Sequence, residues 1–413
     1  MGGKGCGVPI LTMTALLLGA ALIGLGLGIE TRRRRAPALP PAPDAGHRKM
    51  DAPPLGQVGA AGQVEPANPE APANPEAPAN IPGGAVDAFV LLPVRDEERN
   101  LPDCLEALLA LEGRPPILII DDASSDATAA LAAAAAAREP RVTLVTAGPL
   151  PAGWRGKVHA LWVGNRDVGS SWLLLTDADA RLRPAALVRA LAAASRWRLD
   201  AVSLAGLQEA CGLAENLLVP GVFALLDALL GDWEEAAAAG GPPVANGQFL
   251  LLRRAAWESC GGFEAVRHEA IDDVAMAALL RRHGYRTGFF RAPDLLSVRM
   301  YRGIREATRG WRRNLGGLLG PRPAAALAAL AVLAAPALAL AAALAAGSFV
   351  AAALLWGAGA ATSALLRTGS GHRPAYALLY PLDALLLAGV LAAGARDRRR
   401  GQLLSWKGRE MRL

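Results

Sequence analysis

The chain has 413 residues, of which 53% are apolar, 19% charged and 5% aromatic, and its formal net charge is +6. Soluble domains carry roughly 25% charged residues, so the deficit points to membrane-embedded segments, while the apolar content excludes disorder throughout. Cys6, Cys104, Cys211 and Cys260 lie far apart, with no Cys-x-x-Cys pair and no zinc-spaced histidines. That excludes a disulfide scaffold and a structural zinc site, and the four read as free thiols in a reducing compartment.

Val8 to Ile29 is an uncharged apolar run of 22 residues, long enough to cross a ~30 Å hydrocarbon core at ~1.5 Å per residue. Lys4 precedes it and Arg32 to Arg35 follow it, which places the N-terminus outside and Thr31 onward in the cytoplasm. A cleaved leader would carry its charge on the other flank. Residues 1–30 therefore read as an anchor. Residues 31–85 are rich in Pro, Ala and Gly and repeat Pro-Ala-Asn-Pro-Glu-Ala at Pro66 to Ala71 and Pro72 to Ala77. Such a stretch favours extended, polyproline-like conformations and reads as a tether.

From Val86 the texture changes. Ala88 to Pro93, Ile117 to Ile120, Val142 to Val145 and Trp172 to Leu175 are short apolar runs that predict strands. Between them, Asn100 to Leu111 reads as an amphipathic helix and Asp126 to Arg138 as an alanine-rich one. Alternation of this kind predicts a mostly parallel sheet flanked by helices, with ligands at the carboxyl ends of the strands. Asp121-Asp122 and Asp177-Ala178-Asp179 both fall at such ends. Asn216 to Gly231 is apolar and interrupted by Pro220 and Asp227, and is placed against the membrane surface rather than through it.

After Pro321 the chain is apolar again, with Ala324 to Ala346, Ser348 to Leu366 and Ala375 to Gly394 each long enough to span. Three crossings from a cytoplasmic domain would leave the basic tail, residues 396–413, outside, against the positive-inside rule. One segment should therefore be interfacial or re-entrant, and Pro381-Leu382-Asp383 makes the last the candidate. The expected division is an anchor (1–30), a linker (31–85), a cytoplasmic α/β domain (86–320), membrane or re-entrant helices (321–395) and a basic cytoplasmic tail (396–413). The basic residues crowd at membrane margins instead of forming a stripe interleaved with aromatics, so no nucleic-acid partner is expected.

Three acidic positions invite chemistry, and each has an ordinary structural alternative. Asp122, at a strand end, can accept from a ring N–H of a base, or belong to a helix N-cap formed by Ser124, Ser125 or Asp126. Asp177 and Asp179 suit a divalent cation carrying a diphosphate, or form a polar turn. Asp272-Asp273 before Val274 to Arg281 either favours a helix dipole or supplies a general base.

Taken in order, Val90-Leu91-Leu92-Pro93-Val94-Arg95-Asp96-Glu97-Glu98, Ile120-Asp121-Asp122-Ala123-Ser124-Ser125-Asp126, Thr176-Asp177-Ala178-Asp179 and Ile271-Asp272-Asp273 resemble a family 2 glycosyltransferase. The resemblance covers about Val86 to Leu315 and implies the GT-A nucleotide-sugar-binding fold. Gly153-Trp154-Arg155-Gly156-Lys157, Asn246-Gly247-Gln248-Phe249, Gly261-Gly262-Phe263, Arg299-Met300-Tyr301 and Ser405-Trp406-Lys407-Gly408-Arg409 are similar to the membrane-bound subgroup that includes hopene-associated, carotenoid and ceramide glycosyltransferases. The Gln-x-x-Arg-Trp motif of the wider family is degenerate, with Trp311 present but Ala307 and Gly310 at the Gln and Arg positions. Arg309, Arg312 and Arg313 are the candidates to supply its charge.

The resemblance implies that Pro93, Arg95 and Glu97 line the nucleotide pocket, Asp122 holds the base (most often uracil), Asp177 meets the ribose and Asp179 binds Mg2+ or Mn2+ on the diphosphate. Asp273 is then the general base, Gly247, Gln248 and Trp311 border the acceptor, and Lys157 meets a phosphate or the acceptor, or is simply a solvated basic turn. His159 and His268 are kept out of the site. The implied activity is inverting transfer from a nucleotide sugar, such as a UDP-hexose, to a hydroxyl of a polyisoprenoid or other membrane lipid at the inner (plasma) membrane. The alternatives are a processive polysaccharide synthase, a polyprenyl-phosphate sugar transferase and a non-catalytic membrane scaffold.

Overall fold

The computed structural model of the chain describes residues 86–166, 168–230, 243–269, 271–319, 335–400, 404–406 and 409–411. The anchor and tether read from residues 1–85, and residues 324–334 of the run Ala324 to Ala346, lie outside the described residues.

The predicted strands form close to their expected bounds: β1 (Ala88–Val94), β2 (Ile117–Asp121), β3 (Val142–Thr146) and β4 (Trp172–Leu175). Helices α1 (Leu101–Leu109), α2 (Thr128–Arg138) and α3 (Gly156–Gly164) lie between them. After β4 come β5 (Ala180–Leu182), α4 (Ala186–Trp197), β6 (Ala201–Ala205), β7 (Leu207–Gln208) and α5 (Leu213–Leu230). They are followed by β8 (Leu250–Arg253), α6 (Arg254–Ser259), α7 (Gly262–Ala265), α8 (Asp272–Arg282), β9 (Thr287–Arg291) and β10 (Leu296–Val298).

Seven strands make one sheet in the order β3-β2-β1-β4-β8-β6-β9, parallel except that β8 runs against both neighbours, and β5-β10-β7 form a smaller sheet. Alternate residues of β1 feed opposite faces. Ala88, Val90, Leu92 and Val94 pack with α1 and α4, whereas Leu91 packs with α3 and α8. Both faces of the sheet are thus covered, which is why its central strands read as unbroken apolar runs. Pro93 sits two residues past the last pair that β1 shares with β4, Leu91 with Leu175, so its missing N–H falls beyond that ladder.

The C-terminal part comprises α9 (Ile304–Leu319), α10 (Ala335–Ala345), α11 (Phe349–Gly369), a 3-10 turn (Pro374–Leu379), α12 (Tyr380–Arg399) and a hairpin of β11 (Leu404–Trp406) with β12 (Arg409–Met411). Among the described residues, Phe349–Gly369 and Pro374–Asp397 are helical stretches long and apolar enough to cross a membrane. Yet α12 is seated on the α/β domain along its length. Leu387, Val390 and Leu391 pack on Leu218 and Val222 of α5 and on Ala307, Trp311 and Leu315 of α9. Arg312 Nε donates to Asp397 Oδ2 at 3.1 Å near the far end of α12. A Cβ at Gly394 would come within 2.8 Å of the Arg312 carbonyl oxygen, so glycine permits this close approach of two helix backbones.

At the near end of α12, Arg367 of α11 is fully buried, pairs with Asp383 and donates from Nη1 to the Asn216 carbonyl at 2.6 Å. Removing one partner of a buried pair strands the other charge. Asp383→Ala should therefore destabilise the fold by about 3–5 kcal/mol, read as a lower unfolding midpoint in detergent, and Arg367→Met combined with Asp383→Leu should recover most of it.

Candidate active site

Because β1, β2 and β4 are parallel neighbours, their carboxyl ends open on one edge of the sheet; antiparallel β8 brings its start to the same edge, with Leu250 opposite Leu175. Four chain segments that are remote in sequence meet there.

At the β1 and β2 ends the two loops interlock. Asp96 and Ala123 adopt left-handed backbone conformations (φ 50° and 56°), a strain that non-glycine residues hold only when their surroundings enforce it. The enforcing contacts run between the loops. Asp96 Oδ1 accepts from the Ser125 N–H at 2.7 Å, Glu97 N–H donates to Thr128 Oγ1 at 2.7 Å, and Glu98 N–H donates to Asp126 Oδ2 at 3.1 Å. Arg95 reaches across to the carbonyl oxygens of Asp122 and Ala123. Asp122 is buried at the floor of this edge, its N–H bonded to the Val94 carbonyl at 2.9 Å. Pro93, Arg95, Glu97 and Asp122 are thereby brought together. The Glu97 carboxylate itself accepts from Asn100 Nδ2 at 2.9 Å.

The β4 end carries the charged centre. Lys157, in the first turn of α3, lies 2.7 Å from Asp177 Oδ1 and 3.6 Å from Asp272 Oδ2. Asp273 Oδ2 accepts the Gly247 N–H at 2.7 Å, and its Oδ1 accepts the Val274 N–H at 2.8 Å. A Cβ on Gly247 would sit 2.8 Å from Lys157 Nζ and 3.5 Å from oxygens of both Asp177 and Asp273. Gly247 is thus the spacer around which these groups converge. Burial pushes the Asp273 carboxyl up to about 6, helped by neighbouring Asp272 and opposed by Lys157 and the two N–H donors. Burial works against the charge of Lys157, but Asp177, Asp272 and Asp273 outweigh it and hold the ammonium well above the ordinary lysine range. A carboxylate poised near neutrality beside a permanent cation is a proton acceptor ready for use.

Helix α8 begins at Asp272, two residues before the expected Val274, so both aspartates stand in its first turn. The Asn246–Gln248 turn is braced from several sides. Thr176 Oγ1 donates to the Gln248 carbonyl at 2.9 Å, Asn246 N–H donates to Ser203 Oγ at 2.8 Å, and the buried Gln248 Oε1 accepts from Asn246 Nδ2 at 2.9 Å and Gln208 Nε2 at 3.2 Å. Sequence reasoning quoted this turn as a motif but did not identify Thr176, Ser203 or Gln208 as its braces.

Asp179 stands half-buried in the turn between β4 and β5, its carbonyl accepting the Arg299 N–H at 3.2 Å. Among the described residues no group of three or more His, Cys, Asp or Glu side chains is set to hold an ion. Carboxylate oxygen is the donor type that Mg2+ and Mn2+ take, commonly from one or two residues with phosphates and water completing the shell. Asp179 fits that role on a diphosphate.

The residues of the degenerate Gln-x-x-Arg-Trp motif belong to α9. Trp311 is buried between α5, α9 and α12, edge-on to Phe223 at 5.5 Å and Tyr301 at 5.8 Å between ring centroids. A Cβ at Gly310 would lie 2.2 Å from the Tyr301 ring, so Tyr301 fills the space an arginine there would need, and Ala307 is fully buried beneath α12. Arg312 is engaged by Asp397 and Arg309 is exposed. His159 is buried, within 5.6 Å of Trp154 and 5.9 Å of Trp162 between ring centroids.

Comparison with known proteins adds the following. The profile of the family described as "Glycosyltransferase like family 2" matches residues 87–309. The chain is 23% identical over 231 residues to a 4,4'-diaponeurosporenoate glycosyltransferase of Staphylococcus haemolyticus (strain JCSC1435); the match covers 55% of this chain and 60% of that protein, under two thirds of its length. Among solved structures, a mannosyltransferase from Pyrobaculum calidifontis in complex with GDP-Man and Mn2+ is 20% identical, with a TM-score of 0.48, covering 94% of this chain and 98% of that one. A glucosyl-3-phosphoglycerate synthase from Mycobacterium tuberculosis, in complex with Mn2+, UDP and glucosyl-3-phosphoglycerate, is 17% identical with a TM-score of 0.36, covering 58% and 80%.

Proposed function

The chain belongs to glycosyltransferase like family 2, and from that premise we propose that it transfers a sugar, with inversion, from a nucleoside-diphosphate sugar to a hydroxyl of a membrane lipid. The observation that carries the reading is the half-buried Asp273, held by the Gly247 N–H and poised near neutrality beside Lys157 and Asp177.

In this reading the nucleoside of a UDP-hexose lies over the interlocked loops, with Asp122 toward the base, Pro93, Arg95 and Glu97 along the pocket and Asp177 toward the ribose. Asp179 would hold Mg2+ or Mn2+, which supplies stabilisation of the charge growing on the diphosphate. Asp273 takes the proton from the acceptor hydroxyl as its oxygen bonds to the anomeric carbon. The anomeric bond to the diphosphate breaks on the opposite side, releasing the nucleoside diphosphate and inverting the sugar. The turn before β8, at Gly247 and Gln248, borders the acceptor.

A lipid acceptor suits the elements around this edge. Helix α9 exposes Arg305 and Arg309, and Leu378, Leu379, Leu382 and Leu385 are exposed along the 3-10 turn and α12, a pairing of basic and apolar surface suited to a headgroup boundary. We read α12 as interfacial, lying on the α/β domain, and α11 as membrane-embedded. The hairpin after α12 then remains in the cytoplasm. A cysteine introduced at Ser405 should react with a membrane-impermeant thiol reagent only after the cells are opened; labelling from outside intact cells would reverse the topology.

The function is tested by mass spectrometry of host lipids with and without the gene. Loss of a species heavier than its precursor by one sugar is expected. An unchanged lipid profile with a missing polymer would replace the lipid reading with a polysaccharide synthase.

A further inference from the structure

The loop joining the two apolar helices is bonded into the α/β domain beside the acceptor-side turn. Arg291 Nη2 donates to the Gly369 carbonyl at 2.8 Å, and Gly371 (φ 78°) lies so close to β7 that a Cβ would stand 2.8 Å from Leu207 Cδ1. His372 is buried between two partners: Nδ1 lies 2.9 Å from Ser370 Oγ and Nε2 lies 2.8 Å from the Gln208 carbonyl oxygen. Nε2–H donates to that carbonyl, and Ser370 Oγ, which also lies 2.8 Å from the Leu366 carbonyl oxygen, stands against Nδ1. Gln208, also buried, donates from Nε2 to Gln248 Oε1, and the residue before Gln248 is Gly247, whose N–H holds Asp273.

We infer that His372 is a positioning residue for the transfer reaction, acting through Gln208 and the Asn246–Gln248 turn to hold the Gly247 N–H on the general base. Lengthening the bond from Gly247 removes a stabiliser of the Asp273 carboxylate, so the base holds its proton to higher pH and meets the acceptor less well aligned. The other groups around Asp273 are Lys157 of α3, Asp177 at the end of β4, Asp272 of α8 and the Val274 N–H. The relay also makes docking of the helix-joining loop a condition for a correctly placed base. A purely structural peg at His372 would leave the protonation of Asp273 unchanged.

The inference rests on the assignment of Asp273 as base, so the test separates the two. The full-length chain, reconstituted in lipid nanodiscs, is assayed by nucleotide release from a UDP-hexose in the presence of host lipid extract. The variants are His372→Ala, His372→Gln, Gln208→Met and Asp273→Asn. In His372→Ala and Gln208→Met, kcat at neutral pH should fall about 10- to 100-fold, the scale of a small misplacement of a reacting group, and its acid limb should move to higher pH with the donor KM little changed. His372→Gln, which keeps a donor near the Nε2 position, should restore both. Gln208→Met leaves the bond from His372 to the residue 208 carbonyl in place and so tests the link from Gln208 to Gln248 by itself, while His372→Gln against the native chain tests His372 if His372→Ala does not fold. An inactive Asp273→Asn together with an unmoved acid limb in Gln208→Met overturns the relay alone. An active Asp273→Asn overturns the base assignment and the relay with it.

Discussion

Asp273→Asn should lower kcat about 10²- to 10⁴-fold, the range for loss of a general base, while nucleotide-sugar binding is retained. The substitution is close to isosteric, and the amide oxygen can still accept one of the two N–H groups, from Gly247 and Val274, that the native carboxylate takes on separate oxygens, so the chief loss is the proton acceptor. The native enzyme should show the matching pH dependence. A carboxyl at about 6 works as base only when ionised, so kcat rises with pH through about 6, levels above it and falls about tenfold per unit below it. Burial has a second consequence of opposite sign to that of an ordinary paired carboxylate. The folded chain binds this proton more tightly than the unfolded chain, whose carboxyl titrates near 3.8, so the contribution of Asp273 to stability falls as pH rises from about 4 to about 6. Near-normal turnover in Asp273→Asn, or a kcat flat from pH 5 to 8, would remove Asp273 from the chemistry.

The parts of this site that could be read from sequence are those fixed by local pattern. Ile117 to Ile120 and Trp172 to Leu175 are unbroken apolar runs because both faces of their strands are covered, and a strand that ends in aspartates marks the edge where ligands gather. What escaped depended on contacts between remote segments. β8 is four residues long and β10 three, too short for periodicity to register, and the reversed direction of β8 brings Gly247 beside Asp273. Gln208 and His372 are 164 positions apart, and nothing local marks either as a partner. Asp383 looks in sequence like an interruption of an apolar run, and Asp397 like part of the basic tail. They are the two ends of a helix seated on its own domain, with Arg367 and Arg312 as their counter-ions. The degenerate Gln-x-x-Arg-Trp motif likewise became intelligible only once Tyr301 was found in the space over Gly310.

Lys157→Met should reduce kcat at neutral pH about 10- to 100-fold and, unlike loss of a substrate contact, much of the loss should be recoverable by raising the pH. The ammonium faces Asp177 and Asp272 directly and acts on Asp273 through space. Taking it away leaves three carboxylates around Gly247 with no cation between them, and the cheapest relief is for the one already nearest neutrality, Asp273, to keep its proton. Each unit by which that carboxyl rises costs about tenfold in ionised base at a fixed pH below it, and the deficit closes as the pH is raised past the new value. A lysine that instead grips a phosphate would, when lost, raise the donor KM at every pH and leave the acid limb where it was. Lys157→Arg should not rescue the native profile. Lys157 Nζ lies against Gly247 with no room for a methyl group between, and the broad guanidinium fork cannot occupy the place of a compact ammonium. A pH-independent loss in Lys157→Met, or full activity in Lys157→Arg, would reassign this lysine from the carboxylates to the substrate.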